Sequence, residues 1–372
     1  MPTLASKPHD TVLVLQGGGA LGAYQAGVYQ ALAEAGVLPG WIAGISIGAI
    51  NAALIAGNAP EYRLERLRTF WDRISSGLLY KLDESVGFAR RTFNEASALL
   101  TATTGAPGFF APRLPPPLPG WPADFERLSY YDTTPLRATL LELVDFDRLN
   151  NGDIRLSVGA VNVVTGNFAY FDNCERTIGP EHIMASGALP PGFPPVEIDG
   201  EWYWDGGLVS NTPLQYVLDS RTPCEMTVFQ VDLFSAQGAV PMTMADIAQR
   251  EKDIRFSSRT RLNTDQLRKL QALRAAAHRL SRKIPEDLRG DPDLRALLDC
   301  RPDGPVAVMH LINRAGVYET NSKDYEFSRM TVNEHWADGH ADAHYSLAHP
   351  DWLSRRLDPD EITTFDLAGA RA

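Results

Sequence analysis

Val12-Leu13-Val14-Leu15 is an unbroken apolar run, the pattern of a parallel strand covered on both faces rather than of one with a side in water. A glycine-rich turn follows. Ala20 to Ala35 then carries helix formers before Gly36, which suits a helix stop. The next apolar run, Trp41-Ile42-Ala43, leads through Gly44-Ile45-Ser46-Ile47-Gly48 into the helix-forming Ala49-Ile50-Asn51-Ala52-Ala53-Leu54. Two strand–helix units in direct succession over the first 57 residues predict an α/β sheet joined by right-handed crossovers. Further strands are expected at 154–164, at 168–171 beyond a Thr165-Gly166-Asn167 turn, at 227–233 and at 305–313.

Two later stretches break that rhythm. Gly105 to Pro122 is mostly proline, glycine and large apolar residues, so it forms neither a regular helix nor a central strand. It reads either as a surface loop packed by its own aromatics or as a mobile apolar flap over a lipid-binding cleft. From Gln249 to Lys283 there are 11 Lys or Arg against 3 Asp or Glu, a local charge of +8. Leu270, Leu273, Ala277, Leu280 and Ile284 recur there at helical spacing. That predicts a helix with one apolar stripe, either docked on the main body or turned toward anionic headgroups or an acidic partner.

At 372 residues, 44% of them hydrophobic, the chain can bury a sizeable core in one large domain or two smaller ones. Its net charge of −11 argues against nucleic-acid binding. Cys174, Cys224 and Cys300 are odd in number and far apart, so they read as free thiols of a reducing compartment, not as a disulfide frame or a zinc site. No segment has the length of a signal peptide's apolar core or a membrane span. The expectation is a cytoplasmic protein, soluble or peripheral at the inner membrane face.

The candidate chemistry sits on the first two turns. A strand that bends sharply at Ser46 and re-enters as a helix is a nucleophile elbow, with Gly44 and Gly48 allowing the close backbone approach. Gly17, Gly18 and Gly19 open the first helix with bare amides, which suit the oxyanion of an acyl-transfer intermediate. With Gly22 they also satisfy G-x-G-x-x-G, but the second strand ends in Gly44-Ile45-Ser46 with no acidic residue to hold a ribose. For the base, Ser46, Asp205 and then His310, His335 or His340 would follow the α/β-hydrolase order. Alternatively Asp205 acts alone, before Gly206 and Gly207 and after Trp202-Tyr203-Trp204, aromatics that would lower the local dielectric and raise its pKa. His335, His340, His344 and His349, with Asp338 and Asp342 between them, raise a metal site, but nothing in the spacing fixes them on one face. Asp172, Asp232 and Asp246 have no partner that the sequence identifies.

GGGALGAYQAGVYQAL, GISIGAINA, ASGALPPGFPPVEIDG and DGGLVSNTP, in this order over roughly residues 10–235, together resemble the patatin-like phospholipase family. The resemblance implies Ser46 as nucleophile, Asp205 as base without a histidine, and an oxyanion hole from Gly17, Gly18 and Gly19. Ala185-Ser186 through Pro195 corresponds to a block that shapes the site, and Asn211 and Pro213 follow the aspartate as in relatives. Many members carry Arg or Lys where this chain has Leu21, so oxyanion stabilisation would rest more fully on backbone donors. The expected fold is a three-layer α/β/α sandwich with a mostly parallel sheet at 1–235 and a helical and mixed C-terminal extension at 236–372. The expected activity is hydrolysis of lipid or phospholipid acyl esters, with no metal or organic cofactor. Acyl transfer or thioester hydrolysis on the same dyad, and a non-catalytic lipid-surface module, are the other readings.

Overall fold

The computed structural model describes residues 11–75, 87–118, 120, 122–221, 225–285, 291–294, 304–314, 321–357 and 362–371; Cys224 and Cys300 lie outside them. The strands in chain order are β1 (Thr11–Leu15), β2 (Trp41–Ile45), β3 (Ala111–Pro112), β4 (Tyr131–Asp132), β5 (Arg155–Asn162), β6 (Phe168–Asp172), β7 (Val196–Ile198), β8 (Glu201–Asp205), β9 (Met226–Asp232), β10 (Val306–Ile312) and β11 (Ile362–Phe365). The helices are α1 (Ala23–Glu34), α2 (Ile47–Ala56), α3 (Arg63–Ile74), α4 (Gly87–Thr104), α5 (Thr134–Leu143), α6 (Phe146–Asn151), α7 (Pro180–Ser186), α8 (Leu214–Asp219), α9 (Met244–Ser281), α10 (Arg329–Ala348) and α11 (Pro350–Leu353). The four further strands expected from the sequence appear as β5, β6, β9 and β10, with ends that differ by one or two residues.

The main sheet runs β11-β10-β9-β1-β2-β5-β8-β7, parallel from β11 to β5. It is buried on both faces, as continuous apolar strands require. Leu13 and Leu15 of β1 point into the larger core with α1 and α2, while Val12 and Val14 point into a second core with Leu214 and Val217 of α8. Two packed faces make the three layers. β10 and β11 extend the same sheet past residue 235, and α10 packs along α1.

The strand order around β5 positions the chemistry. β6 holds one edge of β5 antiparallel through Ser157–Val161. β2 holds the other, ending where Ile45 pairs with Gly159. β8, antiparallel, pairs at Ala160–Asn162, so it takes the stretch of edge that β2 leaves free, with Asp205 opposite Ala160. The residue after Ile45 and the last residue of β8 are thereby delivered to one point, although 159 positions separate Ser46 from Asp205.

Two stretches were each open to two readings. α9 forms, but Leu270, Leu273 and Leu280 of its stripe are exposed. Near its first third Phe256 stacks on Phe234 at 5.0 Å, and further along Ala275 is buried. The segment after Gly105 is half wall and half surface. Ala106 bridges Phe110, and Phe109 and Phe110 are buried, whereas Leu114 and Leu118 stand in solvent. Among the described residues no helix is long and apolar enough to cross a membrane.

Candidate active site

Ser46 lies between β2 and α2 with φ 55° and ψ −124°, backbone that a residue with a Cβ rarely adopts and that costs about 1–3 kcal/mol. The elbow is tight enough that a Cβ at Gly44 would meet the Gly48 carbonyl, and one at Gly48 the Leu15 carbonyl. The Ser46 amide donates to Ser186 Oγ at 3.0 Å, and that hydroxyl donates to the Gly159 carbonyl at 2.6 Å. Ser186, at the end of α7, therefore bolts the elbow to β5.

Asp205 is 3% exposed at the end of β8. Burial pushes its carboxyl from the ordinary 3.8 up to about 7, against the pull of hydrogen bonds from the Gly207 N–H and the Ser46 hydroxyl. The Gly207 bond is 2.7 Å long, and Gly206 begins the 3-10 turn that makes it. The preceding aromatics contribute less than their adjacency implies. Trp202 and Trp204 alternate to the other face of β8 and pack on Phe125 at 5.3 and 5.9 Å.

Gly17, Gly18 and Gly19 line the same cavity as Ser46 and Asp205. Gly19 has φ 55°, and a Cβ there would run into the carbonyl oxygen of Asp324. A short 3-10 turn, Gly19–Gly22, precedes α1, so the helix begins later than its composition implies. The triplet does not act as three equal donors. The Gly17 N–H already donates to the Asn211 carbonyl at 3.2 Å, and Asn211 Nδ2 returns a bond to the Gly17 carbonyl at 2.9 Å. Gly17 is thus an anchor of the loop.

Behind the loop is a polar chain that the sequence did not reveal. Gln16, fully buried, accepts from the N–H groups of Leu233 and Phe234 and donates to Thr212 Oγ1 at 3.0 Å. Gln25 donates to the Gln16 carbonyl at 2.6 Å, and Asn51 donates to Gln25 and to the Gly22 carbonyl. The one available signal was a glutamine directly closing an apolar strand.

The cavity, open to solvent on one side, has a volume of about 470 Å³. Beyond Ser46 its walls are apolar: Ile47 and Ile50 of α2, then Phe109, Phe110, Phe193 and Phe327. None of the histidines weighed as bases lines it. His310 faces Asp232 at 3.6 Å, His340 bonds Glu34 at 2.8 Å, and His335 is buried on α10. Among the described residues no three His, Cys, Asp or Glu side chains are grouped to hold a metal. The three aspartates without a sequence partner have partners in space. Asp172 takes Arg155, Ser157 and Tyr216, Asp232 takes Gln230, and Asp246 closes a capping box with Thr243.

A family model described as patatin-like phospholipase matches residues 13–218, and a second, described as patatin phospholipase, matches residues 254–359. No curated protein matches the chain. Among solved structures, the chain is similar to VipD from Legionella pneumophila, at 14% identity and a TM-score of 0.33, over 89% of this chain and 68% of that one. It is also similar to the complex of full-length SpcU with full-length ExoU from the type III secretion system of Pseudomonas aeruginosa. There the identity is 18% and the TM-score 0.31, over 78% of this chain and 61% of the matched one.

Proposed function

Since the chain belongs to the patatin-like phospholipase family, we propose that it hydrolyses lipid acyl esters with Ser46 as nucleophile, Asp205 as base, and the Gly18 and Gly19 amides as oxyanion donors. The observation that carries this reading is the Ser46–Asp205 pair itself. The hydroxyl shares the cavity with a buried carboxylate whose pKa of about 7 makes it a proton acceptor matched to neutral pH.

In the first step Ser46 Oγ forms a bond to the ester carbonyl carbon while its proton passes to Asp205. The carbonyl oxygen, now negative, rests against the glycine amides at the start of the first helix, where the peptide dipoles favour it. The carbon–oxygen bond to the alcohol breaks, and the alkoxide leaves with the proton from Asp205. In the second step Asp205 takes a proton from water, the hydroxide attacks the acyl carbon, and Ser46 Oγ departs with that proton. No metal or organic cofactor is required. An alcohol or thiol entering in place of water would give acyl transfer, which product analysis separates from hydrolysis.

The exposed Leu99 and Leu100 of α4 directly precede the cavity-lining Thr101 and Ala102. They support contact of this face of α4 with a lipid surface.

The test is intact-mass detection of a fluorophosphonate adduct on wild type, Ser46→Ala and Asp205→Asn, followed by turnover on an ester and phospholipid panel. A single adduct on wild type, none on Ser46→Ala and much slower labelling of Asp205→Asn are expected. Turnover that survives Ser46→Ala would overturn the assignment.

A further inference from the structure

The C-terminal region does more than flank the site, because it supplies one wall of the cavity. Asp324, Tyr325 and Phe327 all line it, and so does Phe256 of α9. The segment that carries them is fixed by two ion pairs that cross between it and α9. Lys252 meets Asp324 at 2.7 Å, and Lys323, 4% exposed, meets Asp253 at 2.9 Å. The same segment lays the Asp324 carbonyl against Gly19, so wall and oxyanion loop are held in one register.

On the apolar wall of the cavity three buried rings meet. Phe109 lies 5.9 Å from Phe327 and 5.4 Å from Phe110, and Phe110 lies 6.4 Å from Phe327. Phe109 is backed at 6.5 Å by the fully buried Phe70, so nothing beyond it yields without disturbing the core. Ser46, Asp205, Ile47 and Ile50 line the same cavity.

We infer that Phe109, Phe110 and Phe327 form the stop of a single-acyl-chain tunnel, and so set the length of acyl group that the enzyme prefers. The inference rests on the acyl-hydrolase reading above and adds the substrate class, an ester of one unbranched medium-length acyl chain. A cavity of about 470 Å³ has room for one acyl chain of on the order of ten carbons. Each methylene buried before the stop raises kcat/KM by about fourfold, and the gain ends where the rings begin. Selectivity thus comes partly from Phe109 and Phe110, ahead of β3, and partly from Phe327, within the reach of the second family match.

The experiment measures kcat/KM on 4-methylumbelliferyl butyrate, octanoate, dodecanoate and palmitate, with active sites counted by fluorophosphonate labelling. The readout is the ratio of rates within each variant, which cancels any loss of folded enzyme. Wild type is expected to peak at octanoate or dodecanoate and fall at palmitate. Phe109→Ala opens a void of about one ring, so its palmitate-to-octanoate ratio should rise at least tenfold. Ala102→Phe, which fills the cavity from α4, should move the peak toward butyrate. Phe327→Leu, a milder change, should raise the palmitate-to-octanoate ratio severalfold and serves if Phe109→Ala does not fold. Labelled, active variants that keep the wild-type profile would overturn the inference while leaving the hydrolase reading intact. A wild type that neither labels nor turns over any ester would remove the hydrolase reading itself.

Discussion

Replacing Asp205 by Asn should stabilise the protein while disabling it, and the stabilisation should grow with pH. The folded chain holds the Asp205 proton up to about pH 7, whereas the ordinary carboxyl releases it near 3.8. Between those values the folded state binds a proton that the unfolded state has lost, so stability falls as pH rises through the window and levels off above it. At 1.36 kcal/mol per pKa unit, ionising this one group takes away about 1.5 kcal/mol by pH ~5 and about 4 kcal/mol by pH ~8. Asparagine has no charge to desolvate, yet its carbonyl oxygen can still accept from the Gly207 N–H.

The gap in stability between Asp205→Asn and wild type should therefore widen by about 2.5 kcal/mol between pH ~5 and pH ~8, in favour of the variant. Urea denaturation of both proteins at the two pH values measures it, and any constant difference between amide and neutral acid cancels. Loss of the base should lower kcat/KM by about 10²–10⁴ at every pH. A gap that does not change with pH would show that Asp205 is not a carboxyl held neutral by burial. A variant that keeps wild-type turnover would show that some other group accepts the serine proton.

For wild type, log kcat/KM should rise with unit slope to about pH 7 and then flatten, because only the ionised Asp205 can act as base. A limb near pH 4 instead would assign the titration to an exposed carboxylate. Asn211→Ala removes the side-chain half of the clamp on Gly17, so turnover should drop about 10- to 100-fold with little change in KM, measured by steady-state kinetics. Gly19→Ala forces a Cβ onto a left-handed residue facing the Asp324 carbonyl and should lower stability by about 2 kcal/mol or more, read from denaturant midpoints.

The parts of the site that were legible in sequence are those whose chemistry needs glycine. Three bare amides, an elbow and an Asp-Gly-Gly turn each leave a local mark, because any side chain at Gly19, Gly44 or Gly48 would strike backbone. The parallel strands were legible for a similar reason, since burial on both faces leaves an unbroken apolar run. The cavity wall left no such mark. Phe109, Phe110 and Phe327 look like any core aromatics until the fold brings residues more than 200 positions apart into ring contact. The stripe on α9 was legible as a helix but not as to what it faces: its spacing suits a docked face and a surface-turned face alike, and Leu270, Leu273 and Leu280 are exposed.

The pairing of Ser46 with Asp205 depends on a choice that no local pattern encodes. β8 could have continued the sheet outward beyond β6, which would have left its carboxylate far from the elbow. It instead fills the edge of β5 that β2 vacates at Gly159, and it does so antiparallel, so its last residue and not its first arrives beside Ser46. Ser186 reinforces the join by bonding both the elbow amide and the Gly159 carbonyl. The same geometry sets the strength of the base. At the seam between β2 and β8 the carboxyl is buried, while Trp202 and Trp204 pack on the opposite face. A pKa near 7 is thus a property of the seam more than of the aromatic run next to it, and changing those tryptophans should move the titration far less than opening the seam at Ser186.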